Sequence, residues 1–580
     1  MSGHDPRDLV VIALSGVQTY ITESRTTADA ANASDIMARL GTSAAEGLEN
    51  NDGVELVIPT RADPSAASSR IVALVPPGSG AELAHRAAEN VRALVRERLT
   101  ELFASERDVP GFPEVLWTVV PAEAGDYAER WEISRSALEA RKVLRAFDYP
   151  ERRGTRPCAV SPRWPSERHP PARVPEHERG GELSAAVWLK RRWHRLPSVG
   201  GRGFPSTASI ASTPFRARVL ERWDSPGVRE LVTGLEDAAR AVMGRERSRF
   251  LEGAVPALNP TDTDEWDDPL KKWFVRGAGW WVTPETWNVD TLSREYGTEA
   301  RPVDPDAVAR GLDTTRALVD LVESEANPYY AVLTADLDGL GDHLSSPPVT
   351  AERHRAVSLR LEEVSEEHRR RIKEEHSGVT VYSGGDDLLA FLPAATALET
   401  ARSCREAVAG DPTTLSCAVV FAHQGSPLHT VISRARELLA EAKNVPGKNA
   451  VAVGYITGSG ARSHTVRPWS SASVGDALGA LRTFEPRSGR PVPRTATDGA
   501  LSPRLIGDLH GERTALAELA RADEKTYEAE VTRLILRHGG TGEQARNLLA
   551  MGASEHAEGS PAPVPLAAAR VAVFLRSRAW

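Results

Sequence analysis

Residues 329–344 read YYAVLTADLDGLGDHL, and residues 379–393 read VTVYSGGDDLLAFLP. The run 329–335 is apolar and rich in strand-forming residues, and it ends in Asp-Leu-Asp-Gly, which predicts a buried strand followed by a turn. Residues 379–382 and 388–392 predict two short strands that are joined through Ser-Gly-Gly-Asp-Asp. These stretches therefore predict strands that end in, or are joined by, loops rich in carboxylates.

The residues around these strands complete a β-α-β-β-α-β order. Between the first two strands, apolar residues recur at helical spacing at positions 357, 361, 364 and 372. Downstream, the pattern predicts a helix over 395–408, a strand over 415–422, a helix over 428–443 and a strand over 450–455. This order is that of a ferredoxin-like or palm domain.

Residues 1–121 repeat this order without its carboxylates. Strands are predicted over 9–14, 54–58, 70–75 and 115–120, and helices over 17–48 and 81–103. In place of Gly-Gly-Asp-Asp this copy has the loop TRADPSAAS at 60–68, and in place of Asp-x-Asp it has Ser15 and Gly16. We therefore interpret the first copy as a palm without a metal site.

The predicted fold class is α+β, with two ferredoxin-like palm domains, a helical and loop-rich connector, and a C-terminal helical bundle. A chain of 580 residues is too long for one hydrophobic core, which favours several domains. After Gly460 the sequence predicts a loop-rich stretch that leads into the helical bundle. The predicted domains are an inactive palm over 1–125, the connector over 126–325, a catalytic palm over 326–460 and a helical domain over 461–580.

Four aspartates of the second copy form the candidate catalytic site. Asp336 and Asp338 are two residues apart at the end of a strand, so that both side chains face the same side. Asp386 and Asp387 follow two glycines, which suit a tight hairpin and leave room for a nucleotide near the backbone. If the strands are neighbours in the sheet, these carboxylates meet at one edge of it.

Such a cluster is typical of phosphoryl or nucleotidyl transfer. Two divalent ions about 3.5–4 Å apart activate the attacking hydroxyl and stabilise the leaving pyrophosphate, and Mg²⁺ or Mn²⁺ takes oxygen ligands. The predicted metal ligands are Asp336, Leu337 (through its backbone carbonyl), Asp338, Asp386 and Asp387, and the predicted catalytic residues are Asp336, Asp386 and Asp387. Each motif alone is an ordinary turn or hairpin, but both together in one βαββ pattern favour two metal ions.

Two lysines are candidates for binding a triphosphate. Lys443 ends a predicted helix, and Lys448 lies in the loop before the last strand. Lysines near a helix C-terminus are also stabilised by the helix dipole without any ligand. Spacing alone leaves the two interpretations open.

Composition narrows the class of protein. A formal net charge of −9 argues against a protein that coats nucleic acid over its whole surface. Three cysteines, Cys158, Cys404 and Cys417, form neither a disulfide framework nor paired CxxC units. The sequence has no signal peptide and no apolar run of about 20 residues, so we expect a cytoplasmic protein without a membrane partner.

These stretches resemble the large palm-domain subunit of type III CRISPR effector complexes, particularly the Cmr type. The matching text is YYAVLTADLDGLGDHL, VTVYSGGDDLLAFLP, SRARELLAEAKNVPGKNAVAV (433–453), LSGVQTYITESR (14–25) and FPSTASIASTPF (204–215). The segment 433–453 is also similar to the closing segment of the GGDEF-type diguanylate cyclases. There, a Lys and a Gly-basic-Asn turn serve the phosphates, and Lys443, Lys448 and Asn449 match those positions.

The resemblance implies a reaction and a set of partners. It implies that target-RNA binding by the complex activates the palm, which converts ATP to cyclic oligoadenylate, a second messenger in antiviral defence. It also implies other type III subunits, crRNA and target RNA as partners. By resemblance, Asp336 and Asp386 are the main metal ligands with Asp387 at the site, and the nucleotide-binding residues are Ser383, Gly384, Gly385, Lys443, Lys448 and Asn449.

Three departures from the family pattern change the expectations. The first palm begins almost at residue 8 and the His4-Asp5 dipeptide is isolated, so we expect no HD-type DNase activity. The region that corresponds to a CxxC zinc element retains only Cys158, so we do not expect a complete structural zinc site. In the helical segment after Gln18, residues 25–30 read Arg-Thr-Thr-Ala-Asp-Ala instead of the usual Lys-Thr-Arg-Asp-Leu-Trp.

Two weaker signals and two rival functions stay open. The tryptophans from Trp266 to Trp287 form a local core or, less in keeping with their burial tendency, a platform for RNA bases. The basic segment 190–202 is a solvated surface or a grip on an RNA backbone. The rivals to an RNA-activated synthase are a catalytically silent scaffold subunit and a free-standing cyclic nucleotide synthase outside CRISPR.

Overall fold

The computed structural model describes most of the chain, and the described residues form two compact units. Unit 1 comprises residues 1–203, 339–367 and 381–387, and unit 2 comprises residues 204–338, 368–380 and 388–580. The described residues are 5–64, 68–143, 156–172, 174, 180–201, 203–244, 251–259, 266–298, 301–471, 475–485, 501–553 and 564–579. The four predicted domain ranges stay a prediction, and His4 and Arg202 lie outside the described residues.

Unit 1 contains a four-stranded antiparallel sheet in the order β2-β3-β1-β4. Its strands are β1 (Asp8–Ser15), β2 (Glu55–Ile58), β3 (Arg70–Val75) and β4 (Glu114–Val120). In the middle of the sheet, Val11 lies opposite Val72 on one side and Thr118 on the other. This is the ferredoxin-like order that the sequence predicts.

The helices of unit 1 are α1 (Val17–Thr22), α2 (Thr27–Glu49), α3 (Gly80–Phe103), α4 (Tyr127–Val143), α5 (Ala185–Arg192), α12 (Leu340–Ser345) and most of α13 (Ala351–Arg370). The helical segment predicted over 17–48 consists of two helices, because residues 23–26 are not helical and separate α1 from α2. Thr26 caps the second helix, and its hydroxyl accepts a hydrogen bond from the N–H of Asp29 at 3.1 Å. The sheet packs through Val11 and Val72 against Trp131 and Leu138 of α4.

A mixed sheet has the order β10-β9-β8-β5-β7-β6, and its residues belong to unit 2 except for 381–384 of β6 and Asp387 of β7, which belong to unit 1. Its strands are β5 (Tyr329–Asp338), β6 (Val379–Gly384), β7 (Asp387–Pro393), β8 (Thr414–His423), β9 (Ala450–Ile456) and β10 (Arg462–Pro468). The part β8-β5-β7-β6 has the ferredoxin-like order, and β9 extends it parallel to β8. The loop-rich stretch predicted after Gly460 is wrong for β10, which pairs antiparallel with β9.

Around this sheet, unit 2 is helical. Before the sheet come α6 (Thr207–Ala211), α7 (Thr213–Glu221), α8 (Val228–Met243), α9 (Pro269–Arg276), α10 (Val289–Tyr296) and α11 (Pro305–Val322). Within and after it come a π-helical turn (Arg371–Glu375), α14 (Ala397–Glu406), α15 (Leu428–Lys443), α16 (Ala477–Arg482), α17 (Arg504–Gly511), α18 (Arg513–Ala522), α19 (Glu524–Arg537), α20 (Gly542–Ala553) and α21 (Leu566–Arg578). The predicted α+β class with a C-terminal helical bundle is confirmed.

The tryptophan-rich patch is a core. Trp273, Trp281 and Trp287 are each at most 6% exposed and pack with α8 and α11. The indole N–H of Trp287 donates to the carbonyl of Trp281 at 3.0 Å. The local-core interpretation is therefore confirmed for these three residues. No helix among the described residues has the length and apolar character needed to cross a bilayer.

The two palms share the turn that follows their first strand. Gly16 follows β1 and Gly339 follows β5, with φ of 73° and 72°, and each precedes a six-residue helix. Matching these glycines places Ala13, Leu14 and Ser15 at the positions of Asp336, Leu337 and Asp338. The sequence-based pairing of Asp-x-Asp with Ser15 and Gly16 is therefore wrong by two residues, because the left-handed turn belongs to glycine in both copies.

Candidate active site

In unit 2, the end of β5 carries two of the predicted carboxylates. Asp336 lies opposite Ser416 of β8, and Asp338 lies opposite Thr414. Leu337, between them, is buried and in register with Leu415. The alternation of the strand sends Asp336 and Asp338 to the same face, as predicted.

Asp338 is buried, with 7% of its surface exposed, and one of its oxygens is used to hold the surrounding backbone. Its Oδ2 accepts hydrogen bonds from the hydroxyls of Thr414 at 2.8 Å and Ser416 at 2.9 Å, and from the N–H of Asn449 at 3.0 Å. Ser416 also accepts from the N–H of Ala450 at 3.3 Å. Asp338 thus fixes the loop that precedes β9, a role that the sequence pattern did not indicate.

The other oxygen of Asp338 is chemically different. Its Oδ1 is buried and, among the described residues, has no hydrogen-bond donor. Leaving a buried carboxylate oxygen without a donor is costly, and a divalent cation satisfies such an atom. The donor set at the end of β5 therefore fits the metal ion that the sequence predicts.

The loop held by Asp338 has an unusual backbone. Gly447, Lys448 and Asn449 are all left-handed, with φ of 82°, 53° and 47°. A left-handed conformation costs a residue with a β-carbon about 1–2 kcal/mol, so the surrounding contacts must hold Lys448 in place. The N–H of Lys448 donates to the carbonyl of Val445 at 2.7 Å, and the carbonyl of Asn449 accepts from Trp469 at 3.0 Å. Strain of this kind is common at ligand-binding loops.

Lys443, the last residue of α15, is not a solvated lysine. Its ammonium forms an ion pair with Oδ1 of Asp336, and the two side chains are 31% and 17% exposed. The predicted interaction partner of Lys443 was a triphosphate, whereas the structure pairs it with a predicted metal ligand. Among the described residues, no three His, Cys, Asp or Glu side chains form a group that could hold a metal ion.

In unit 1, the Ser-Gly-Gly-Asp-Asp turn is left-handed at one of its two glycines, Gly385, whereas Gly384 ends strand β6. Gly385 has φ of 65°, with open space where a β-carbon would lie. The hydroxyl of Ser383 donates to the carbonyl of Ser365 in α13 at 3.3 Å. A narrow cavity lies against Gly384 and Gly385, and its other lining residues are Ile58, Ser68, Ser358, Leu361, Glu362 and Ser365. Open space beside Gly385 is what the close approach of a ligand to the backbone requires.

The two aspartates of this turn differ. Asp386 is exposed, whereas Asp387 is half-buried and accepts a hydrogen bond from the side-chain amide of Gln18 at 2.6 Å. Gln18 lies in the first turn of α1, far away in sequence. Sequence reasoning missed this contact; Gln18 was quoted only as part of the opening motif.

The prediction that the basic segment 190–202 binds an RNA backbone is not supported for its first three cationic side chains. Lys190 is fully buried, Arg192 is 9% exposed, and Arg191 forms an ion pair with Asp29 at 3.0 Å. These side chains stabilise unit 1 and do not form a free basic surface.

The region that corresponds to a CxxC zinc element has a hydrogen-bonded serine three residues after Cys158. Cys158 is buried, and its sulfur accepts a hydrogen bond from the N–H of Ser161 at 3.4 Å. Ser161 in turn donates to the carboxylate of Glu23 at 2.5 Å. A zinc knuckle needs a second thiolate where Ser161 lies, so these residues do not fit zinc.

Comparison with known proteins agrees with the palm fold of the second copy. Residues 329–452 match the protein family described as "Cas10/Cmr2, second palm domain". An alignment 225 positions long is 30% identical to the CRISPR system Cmr subunit Cmr2 of Pyrococcus furiosus, and it covers 33% of this chain. The match spans a quarter of the length of that relative.

Similar folds occur among solved structures. A type III-B Cmr-beta cryo-EM structure in the apo state matches with a TM-score of 0.63 and 13% identity, over 99% of this chain and 82% of that one. The Cmr-beta structure bound to cognate target RNA matches with a TM-score of 0.61 and 14% identity, over 98% of this chain and 83% of that one. At such low identity the likeness concerns the fold. The resemblance to the Cmr-type large subunit is confirmed by these comparisons together.

Proposed function

Because residues 329–452 belong to the Cas10/Cmr2 second-palm family and the chain has the Cmr-type fold, we propose that this protein is a type III CRISPR large subunit that synthesises cyclic oligoadenylate from ATP. The reaction is nucleotidyl transfer with two metal ions. In this proposal the first palm is a structural partner, and the second palm supplies the carboxylates that hold the ions.

One observation carries the proposal: the buried, donor-free Oδ1 of Asp338 beside Asp336 at the end of β5. Two bound cations of the Mg²⁺ or Mn²⁺ type would activate the attacking hydroxyl and neutralise the charge of the leaving pyrophosphate. Asp336, Asp338, Asp386, Asp387 and the carbonyl of Leu337 are the ligands that we propose for them.

The remaining residues of the site act on the nucleotide. Lys443 and Lys448 neutralise phosphate charge, and Asn449 orients the phosphates from a loop whose conformation Asp338 already fixes. Ser383, Gly384 and Gly385 let the nucleotide approach the backbone of the hairpin. With Asp336 holding a cation, Lys443 would no longer be needed as its ion-pair partner and would be available to the triphosphate.

We also propose the partners of the chain. One of the similar Cmr-beta structures is described as bound to cognate target RNA. By analogy, this chain assembles with other type III subunits, meets crRNA and target RNA through that complex, and starts synthesis when target RNA binds.

A silent scaffold is the second candidate, and the Lys443–Asp336 ion pair favours it. An ammonium that neutralises a metal ligand competes with a cation for the same carboxylate. If the pair persists in the assembled complex, the palm holds its shape without turning over ATP.

The test is a product assay on the full-length chain, alone and in the complex that it brings along, with ATP and Mg²⁺ or Mn²⁺. Mass spectrometry reads the products of the wild type, of Asp386→Ala/Asp387→Ala, and of the control Asp313→Ala, an exposed aspartate of α11. We expect cyclic oligoadenylate from the wild type and the control and none from the double variant.

Three other outcomes contradict the proposal. A complex supplied with matching target RNA that makes no product supports the scaffold. Products built from GTP or from mixed nucleotides indicate a free-standing synthase instead. Undiminished product from the double variant would show that these carboxylates are not the metal ligands.

A further inference from the structure

Helix α1 brings a neutral amide to the acidic hairpin of unit 1. The Nε2 atom of Gln18 donates to Oδ2 of Asp387 at 2.6 Å, which is short for a hydrogen bond to a carboxylate. The two residues are separated by 369 positions in the sequence, so only the tertiary fold joins them. We propose that Gln18 is a positioning residue that sets the orientation of the Asp387 carboxylate for metal binding, an inference that rests on the function proposed above.

The backbone at the start of α1 determines where this amide lies. Gly16 is left-handed, with φ of 73°, and the N–H of Tyr20 donates to its carbonyl at 2.9 Å to begin the helix. Gln18 therefore lies in the first turn, on an exposed part of the helix, while Tyr20 and Ile21 are buried. One side of the helix is therefore anchored by Tyr20 and Ile21, and Gln18 on the other side contacts Asp387.

The buried side of α1 is held by several independent contacts. The hydroxyl of Tyr20 donates to the carbonyl of Ala186 at 2.8 Å, and its ring packs against Phe112 at 4.7 Å and against Trp164 at 6.3 Å. The ammonium of Lys190 donates to the carbonyl of Tyr20 at 2.8 Å and also to that of Glu23. A helix fixed in this way places its side chains with little freedom, which a positioning residue requires.

An amide suits this role better than a cation does. An ionised carboxylate has lone pairs for about four partners, so a neutral donor such as Gln18 and a metal ion can share it. An ammonium at the same place would compete with the ion for charge, as Lys443 does at Asp336. Gln18 therefore orients Asp387 without neutralising it.

The first palm thus retains a role at the site although it has no carboxylates of its own. Its strand β1 ends in Ser15 where β5 ends in Asp338, but the helix that follows supplies Gln18 two residues after the shared glycine. The corresponding position in the second palm is Gly341, which has no side chain to donate.

The experiment compares Gln18→Ala, Gln18→Glu and the control Thr19→Ala, an exposed neighbour on the same helix. Each variant of the full-length chain is titrated with Mn²⁺, and bound and free Mn²⁺ are separated by electron paramagnetic resonance. The same variants then enter the ATP product assay. Partners that orient metal ligands typically change metal affinity or activity about 10–100-fold.

We expect Gln18→Ala to weaken Mn²⁺ binding about tenfold and to lower kcat by a similar factor, with KM for ATP nearly unchanged. Gln18→Glu, which has the same shape but cannot donate and adds a like charge, should be worse than Gln18→Ala in both measurements. Thr19→Ala should match the wild type. A residue that only fills space gives the opposite order, with the Glu variant close to the wild type.

Two results overturn the inference: wild-type Mn²⁺ affinity in Gln18→Ala, or a Gln18→Glu variant at least as competent as Gln18→Ala. Failure of the proposed function is distinct, because the wild type itself then makes no cyclic product. In that case the Mn²⁺ titration of the variants still decides whether Gln18 positions Asp387. A wild type that binds no Mn²⁺ at all contradicts both proposals.

Discussion

The two palms have the same backbone where their first strands end, but different side chains. In both, a strand runs into a left-handed glycine and a six-residue helix. At the matched positions the first palm has Ala13 and Ser15, and the second has Asp336 and Asp338. Ala13 is 4% exposed and belongs to the core of unit 1, whereas Asp338 holds a strained loop and keeps one oxygen without a donor. The comparison shows that the same backbone accepts either pair of side chains, and the second palm has at these positions the two carboxylates that the proposed chemistry needs.

The two palms should differ most in how a substitution at these matched positions changes the rate of product formation. Asp338→Asn preserves shape but removes the charge, whereas Ser15→Ala removes a hydroxyl at the matched position. A metal ion contributes several kcal/mol to the transition state, and each 1.36 kcal/mol is a factor of ten in rate. We expect Asp338→Asn to lower the rate of product formation at least about 1,000-fold and Ser15→Ala to leave it unchanged, measured by mass spectrometry of timed samples.

The control for this comparison is a measurement of whether the variant is still folded. Asn at position 338 can still accept hydrogen bonds from Thr414 and Ser416, so thermal unfolding of the variant should stay close to that of the wild type. Retention of more than about a tenth of the activity would mean that Asp338 serves only the loop before β9.

The next largest effect concerns the stability that each sheet gains from the aromatic side chain packed against it. Trp131 of α4 packs on the first sheet, and Phe574 of α21 packs within unit 2 against Tyr455, with ring centroids 4.4 Å apart. Both are buried, and truncating a buried Phe or Trp to Ala costs about 3–5 kcal/mol. We expect Trp131→Ala and Phe574→Ala each to destabilise their own unit by about 3 kcal/mol, measured by hydrogen exchange read with mass spectrometry.

The pattern of exchange sharpens the comparison. Trp131→Ala should accelerate exchange in β1 and β3, and Phe574→Ala in β8 and β9. A matched exposed substitution, Leu536→Ala on α19, should change neither region, since Leu536 is 49% exposed. Equal acceleration of both sheets by either variant would mean that the units unfold together.

Sequence reasoning succeeded for elements with their own apolar pattern. Helix α15 was predicted over its observed residues, Leu428–Lys443, because apolar residues recur on one face of it. Strand β10 was missed because its sequence, RSHTVRP, contains almost no apolar residues and forms a strand only by pairing with β9. A strand defined by its neighbour leaves little trace in its own sequence.

The site shows the same division. The four aspartates and the two glycines could be selected from the sequence by their spacing. Gly385 has the positive φ expected of it. Contacts that depend on tertiary structure, such as Thr414 with Asp338 or Gln18 with Asp387, join residues that are 76 and 369 positions apart. No local pattern marks them, although polar residues in the otherwise apolar strand β8 were a usable signal.

A smaller effect tests the anchor of α1 in the first palm. Burial lowers the pKa of Lys190 to about 8, against the attraction of the Asp29 and Glu23 carboxylates. In the unfolded chain the pKa is about 10.4, so between pH 8 and 10 the unfolded state binds more protons than the folded state. The stability of the folded state therefore rises with pH across this window.

The substitution Lys190→Met removes this titration. We expect the unfolding free energy of the wild type to gain about 1–2 kcal/mol relative to the variant between pH 7.5 and 9.5. Chemical denaturation of both proteins at several pH values measures the difference. The other titratable groups that act on Lys190 are Arg163 and Cys158, and both are retained in the variant. Parallel pH profiles for the two proteins would show that Lys190 titrates as it does in water.

The smallest effect tests the strained loop of the second palm. Lys448 is left-handed, which costs about 1–2 kcal/mol for a residue with a β-carbon, and glycine avoids this cost at an entropic loss of about 0.5–1 kcal/mol. Lys448→Gly should therefore stabilise unit 2 by about 0.5–1 kcal/mol. Gly447→Ala should destabilise it by a similar amount, because Gly447 has φ of 82° and open space around it, so that only backbone strain is added. Opposite shifts in the denaturation midpoint confirm that the loop is held against its own preference. Shifts of the same sign contradict it, since they would mean that side-chain contacts, and not backbone strain, determine the stability of this loop.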